Sequence, residues 1–142
     1  MKLILILIAV PVVLAGALAL YARLVPIEAD RFTSKPGPDA AGVHRMPGGA
    51  KYVLPLSDLP KDALVNLLGI VRQTPRTIEI ATDNGNSFVT RSRGFGFPDV
   101  TRIWQDEDNL HIHAHLVIGK SDLGVNGDRV RQWNEALRGS LR

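Results

Sequence analysis

Leu110-His-Ile-His-Ala-His-Leu-Val-Ile118 alternates apolar and polar residues along its histidine-rich part. In an extended chain Leu110, Ile112, Ala114, Leu116 and Ile118 fall on one face and His111, His113 and His115 on the other. That period predicts a strand with one buried face. The polar run Asp106-Glu-Asp-Asn109 precedes it, and Val100 to Gln105 precedes that. The two strands read as an antiparallel hairpin, with Arg102 opposite His113 and Trp104 beside His111. Antiparallel sheets commonly keep one face solvated, and the histidine face is expected to be that one, open to solvent or a partner.

Working outward, Thr77 to Asp83 and Asn86 to Arg93 flank Asn84-Gly85, the preferred pair for a two-residue hairpin turn. Pairing across it puts Ile80 opposite Val89 and Ile78 opposite Arg91. Tyr52 to Leu56 reads as a first strand, with Pro55 marking an edge or a strand end. Ser57-Asp-Leu-Pro60 reads as a helix start. Leu64, Leu67, Leu68 and Val71 then form one apolar helical stripe, and Thr74-Pro75 ends it. A last helix has Asn126 as N-cap and Asp128 in its first turn. Its stripe is Val130, Trp133, Leu137 and Leu141, and Arg138 and Arg142 lie at the negative end. The order β-α-β-β-β-β-α predicts an α+β fold, an antiparallel sheet of four to five strands covered by two helices, over residues 50–142. A domain of that size buries enough surface for one small core.

Leu3 to Leu20 carries no charged side chain, and Tyr21 follows at the place of an interfacial aromatic. As a helix the run extends about 27 Å, close to the hydrocarbon thickness of a bilayer. Pro11 and Gly16 are tolerated in a membrane span. Ala-x-Ala spacings at Ala15/Ala17 and Ala17/Ala19 fit a signal peptidase, but no polar segment precedes them. Residues 1–23 are therefore expected to be an uncleaved signal anchor, a single-pass transmembrane helix contacting the membrane through residues 3–22. The folded part is expected on the extracytoplasmic, periplasmic side. Pro26, Pro36-Gly-Pro38 and Pro47-Gly-Gly49 interrupt residues 24–49, which read as a tether and irregular entry segment, part of which could pack on the domain because Val43, His44 and Met46 are not linker-like.

The chain has 142 residues, 17 basic and 14 acidic, 45% hydrophobic and 22% charged, with no cysteine. That composition excludes a disordered or collagen-like chain, a disulfide framework, a thiolate zinc site and a cysteine nucleophile. Lys2 and Arg23 flank the apolar run and every acidic residue lies beyond it, so the remainder is nearly neutral. Charges of both signs are interspersed, and nucleic acid is not expected as a partner.

Arg91-Ser-Arg-Gly-Phe-Gly-Phe-Pro-Asp99, and Gly119-Lys-Ser-Asp-Leu-Gly-Val-Asn126 with Arg129, carry a resemblance over about residues 45 to 140. The chain resembles the family catalogued as domain of unknown function (DUF) 1499, bacterial and plastid proteins of which many have an N-terminal membrane segment. The resemblance implies no reaction. It marks Phe97, Pro98, Asp99, Ser121, Asp122, Gly124, Asn126 and Arg129 as family-typical. The chain departs from the family pattern at Val100, where a second aspartate is common, and in its histidine-rich strand.

Three groups are candidate sites. Arg91, Arg93, Asp99, Ser121, Asp122, Asn126 and Arg129 form a binding or structural polar cluster, arginine being suited to carboxylate or phosphate. If Arg91 shares the core face with Ile78, it needs Asp99 or Asp122 as partner. His111 and His113 lie about 6.7 Å apart on one strand face, a zinc-compatible spacing. Arg102 opposes a metal there, and no carboxylate completes the set. Gly119-Lys-Ser lacks the earlier glycine of a phosphate loop, since Ala114 stands there, so its glycines and polar side chains read as turn and cap. No nucleophile elbow is present.

No metal or cofactor is expected. The expected function is a non-enzymatic binding or interaction domain of the cell envelope, with an envelope protein or lipid as partner. The alternatives are a small metal-dependent hydrolase using His111 and His113, and a binder of an apolar or lipid ligand.

Overall fold

The computed structural model describes residues 2–82 and 85–139. Three helices, α1 (Lys2–Leu24), α2 (Ala63–Arg72) and α3 (Val125–Gly139), accompany six strands. The strands are β1 (Gly42–Met46), β2 (Gly49–Pro55), β3 (Thr77–Ile80), β4 (Asn86–Arg91), β5 (Pro98–Gln105) and β6 (Asn109–Leu116). They form one antiparallel sheet in the order β1-β2-β6-β5-β4-β3. The α+β class and the two covering helices match the sequence reading. The strand number is six rather than four to five, because the segment read as a tether supplies β1.

The expected pairs Arg102–His113 and Trp104–His111 are present. The β3–β4 register differs from the expected one: Ile78 faces Val89 and Ile80 faces Ser87. The loop is longer than two residues, and the Thr82 hydroxyl donates to the Gly85 carbonyl across it (2.6 Å). A slip of two leaves each side chain on its original face, which the hydrophobic pattern alone cannot distinguish. Asn84 of the expected turn, and Leu141 and Arg142 of the last helix, lie outside the described residues.

α2 and α3 cover one face of the sheet. Leu67, Leu68 and Val71 of α2 and Val130, Trp133 and Leu137 of α3 pack on Tyr52, Phe88, Ile103, Leu110 and Ile112. The Trp133 indole N–H is satisfied by Thr74 Oγ1 at 2.8 Å. α2 starts later than expected. Leu56–Asp58 is a single tight turn, and the Ser57 hydroxyl meets the Asp58 carboxylate rather than capping the helix. Pro55 ends β2, which is an internal strand.

The second face, expected to be open to solvent or a partner, is covered too. Lys51 (0% exposed), Arg102 (1%) and His111 (1%) project from its centre. Residues 29–41 lie across them as a strap. The Arg102 guanidinium donates to the carbonyls of Thr33 (3.2 Å) and Ser34 (3.1 Å) and to Ser87 Oγ (2.6 Å), and Ser87 donates on to Phe32. Lys51 Nζ donates to the Pro36 carbonyl (2.6 Å) and the Asp39 carboxylate (2.8 Å), and lies 4.9 Å from the Trp104 ring centre. Trp104 stacks on His111, and His113 on His115.

α1 is long and apolar enough to cross a bilayer, as is a signal sequence. Its end is attached to the domain. Arg23 donates to the carbonyls of Gly94 (3.1 Å) and Phe95 (2.8 Å), and Arg91 to that of Ala22 (3.0 Å). Guanidinium groups thus complement the partial negative charge of the helix C-terminus.

Two predictions follow from the covered face. Arg102→Ala leaves a cavity and unpaired strap carbonyls, and is expected to cost about 3 kcal/mol in urea unfolding. In the same variant, the amides of residues 29–35 should lose hydrogen-exchange protection first. Burial, then the charges of His115 and Lys51, pushes the His113 imidazole down from 6.5 to about 4. Between those values the unfolded chain binds a proton that the folded protein refuses, so stability falls as pH drops through this window. The loss is on the order of 2–3 kcal/mol. His113→Gln should flatten that part of the stability–pH curve.

Candidate functional site

The loop from β6 into α3 is built by its own polar side chains. Gly119 (φ 105°) and Gly124 (φ 86°) take the left-handed turns that reverse the chain. The Asp122 carboxylate accepts the N–H groups of Gly124 (3.1 Å) and Asn126 (2.7 Å), so Asp122 does the capping expected of Asn126. Burial works to raise the Asp122 carboxyl, but these donors outweigh it and hold it below the ordinary range. Ser121 Oγ accepts the Leu123 N–H at 3.2 Å.

Asn126 lies inside the first turn of α3 and is fully buried. Its amide donates to the Gly48 carbonyl (3.3 Å) and accepts from Arg129 (2.7 Å). Arg129 also meets the Asp99 carboxylate at 3.0 Å, both side chains being about nine-tenths covered. One network therefore joins the β1–β2 turn, the start of β5 and the start of α3.

Beside this network is a cleft of about 450 Å³, within the usual size range of small-molecule sites. Phe97, Asp99, Ser121 and Asp122 line it together with Leu116 and Leu123. Leu18 of α1 forms part of the wall. The exposed apolar side chains of Leu123 and Val125 flank it. The surface of the cleft is mostly hydrocarbon, with the two carboxylates as its charged groups.

Of the seven expected cluster residues, Asp99, Ser121 and Asp122 line this cleft, and Asn126 and Arg129 are hydrogen-bonded to Asp122 and Asp99 behind it. Arg91 and Arg93 do neither. Arg91 shares a sheet face with Ile78 as expected, but that face is the one opposite the helices. Its guanidinium donates to the carbonyls of Ala22 and Gly96, not to Asp99 or Asp122.

The histidines are engaged by the protein itself. His111 Nε2 is 2.7 Å from Asp106 Oδ2, while its Nδ1 is buried without a hydrogen-bond partner. Hydrogen bonds from Asn109, His111 and Asp108 hold the Asp106 carboxyl below its ordinary value. His115 meets the carbonyls of Leu116 and Pro47. Among the described residues, no three metal-ligating side chains converge. The buried Lys51 ammonium adds a positive charge to the same sheet face.

Sequence reasoning missed Lys51, Leu18, Leu116 and Gly48. Gly48 (φ 74°) was legible in principle, because Pro47-Gly48 is a turn signature. A side chain there would collide with Leu116 at 2.5 Å.

An α+β domain with a polar network beside an apolar cleft is the class these features define. The model of the family described as "Protein of unknown function (DUF1499)" matches residues 33–137, and the chain belongs to that family. Searches of the curated proteins and of the solved structures found no match.

The Asp99–Arg129 pair should behave as a coupled unit. Arg129→Gln leaves a mostly buried carboxylate without its cation, and Asp99→Asn leaves the reverse. Each is expected to destabilise the domain, and the double-mutant cycle should show a coupling of about 1–3 kcal/mol by urea unfolding.

Proposed function

We propose that the chain is a single-pass, membrane-anchored domain of the cell envelope, its folded part extracytoplasmic, that binds a lipid rather than catalysing a reaction. The observation that carries the reading is the composition of the cleft wall. Leu18 belongs to the long apolar helix, and Leu116, Phe97 and Leu123 belong to the domain. If α1 spans the bilayer, the mouth of the cleft lies where acyl chains are available, and no transfer through water is needed. Leu123 is 94% exposed and Val125 51% exposed at the mouth, an apolar pair that lipid would cover.

The polar network supports binding over chemistry. Asp99 and Asp122 are occupied by Arg129 and by main-chain N–H groups. Among the described residues, neither carboxylate hydrogen-bonds to a histidine or hydroxyl that could serve as base or nucleophile.

Two measurements on the full chain test this reading. After alkaline carbonate washing, the protein should remain with the membrane pellet, and release into the supernatant would sink the anchored reading. In neutral detergent the protein should enhance the fluorescence of cis-parinaric acid saturably. Leu123→Asp places a charge at the mouth and suits the left-handed backbone there (φ 54°), so it should weaken that binding about tenfold without unfolding the domain. Unchanged binding in this variant would exclude the cleft.

A further inference from the structure

We propose that the cavity of about 310 Å³ walled by Arg23, Arg76, Arg91 and Arg93 binds a phosphate group, carried by an anionic lipid headgroup of the bilayer in which α1 ends. Four arginines from four parts of the chain line it: Arg23 in the last turn of α1, Arg76 at the entry to β3, Arg91 at the end of β4 and Arg93 in the loop after it. Among the described residues, none of the four pairs with a carboxylate. Arg23 donates to the carbonyls of Ala19, Gly94 and Phe95, and Arg91 to those of Ala22 and Gly96. Arg76 donates through Nε to the Arg91 carbonyl.

These bonds use only part of each five-donor fork, and the rest of the donors remain for a ligand. Arg93 is exposed and has no hydrogen-bond or ion-pair partner among the described residues. Four like charges around one cavity of about 310 Å³ repel one another, and an anion in it offsets that repulsion. Arginine forks fit phosphate oxygens two at a time.

The walls are shaped around the cations. Gly96 (φ 81°) passes so close to Arg23 that an added Cβ would sit 3.1 Å from its side chain. Arg76 is held at φ 59°, a conformation that costs a non-glycine residue energy and directs its side chain to Arg91. Ser92 Oγ accepts the Phe97 N–H, so its own O–H is available to the cavity. Arg23 closes the apolar helix, which sets the cavity at headgroup level. This choice of a lipid source rests on the membrane-anchored reading of α1, whereas the phosphate chemistry does not. The cavity shares Ser92 with the apolar cleft, but none of its arginines lines that cleft.

The test uses the full chain in neutral detergent, titrated by calorimetry with dihexanoyl phosphatidic acid, dihexanoyl phosphatidylcholine and inorganic phosphate. Phosphatidic acid should bind saturably and more tightly than the zwitterionic lipid. Arg76→Gln and Arg93→Gln should each weaken it about tenfold, the loss of one charge-assisted contact. Arg138→Gln, the same charge change on an exposed turn of α3, should stay within about twofold. Arg93 has no folding role, so its variant keeps the test valid if Arg76→Gln lowers the melting temperature. Equal binding of inorganic phosphate with the same variant pattern would uphold the phosphate site and overturn its lipid source. No saturable binding of either, or equal losses in Arg138→Gln, would overturn the proposal. Loss of parinaric acid binding with phosphatidic acid binding intact would defeat the cleft reading alone.

Discussion

Lys51 and Arg102 stand side by side with His113 at the centre of a sheet face, both withdrawn from water. A buried cation is costly unless hydrogen bonds replace its hydration. Here main-chain carbonyls of residues 33–36 replace it, with Asp39 and Ser87 as side-chain acceptors. Burial lowers the Arg102 pKa from its ordinary value, and Lys51 holds the Asp39 carboxyl below its own. A Pro- and Gly-rich segment with no periodicity is thereby held at a fixed place on the sheet.

Other features depend on that placement. The strap leads into β1, β1 turns at Pro47-Gly48 into β2, and the Gly48 carbonyl receives the buried Asn126 amide. Asn126 in turn orients Arg129 toward Asp99. The family-typical residues of two distant sequence stretches meet directly at Arg129 and Asp99, and a third stretch that carries none of them is tied to the pair through Gly48. The strap also begins where α1 ends, and the contacts of Arg23 and Arg91 keep that end on the 92–97 loop. Both cavities are lined in part by this loop, one walled mostly by hydrocarbon and one by arginine. Both are in contact with the last turns of the apolar helix.

Most of the sheet was legible because its signals are local. The alternation of residues 110–118 set β6 and, through the polar turn before it, the register with β5. The stripes of α2 and α3 were legible for the same reason, with Leu67, Val71, Val130 and Leu137 fully buried as the period requires. β1 was not legible. It is a five-residue, largely exposed edge strand, and its turn residues resemble those of a linker. The candidate site was half legible. Asp99, Ser121, Asp122, Asn126 and Arg129 were named together, while Leu18 and Leu116 carry no mark that separates them from ordinary apolar residues.

The sequence by itself determined the order of the elements from β2 onward, the face each helix buries and the apolar length of α1. These follow from side-chain periods and caps within a few residues of one another. Only the tertiary structure decided what covers the second face, which partner Arg91 takes and which residues wall each cavity. Those outcomes depend on tertiary contacts, several between positions more than fifty residues apart, such as Arg102 with Thr33 and Arg91 with Ala22. There, hydrogen bonds to main-chain carbonyls leave no pattern in the identities of the residues that supply them.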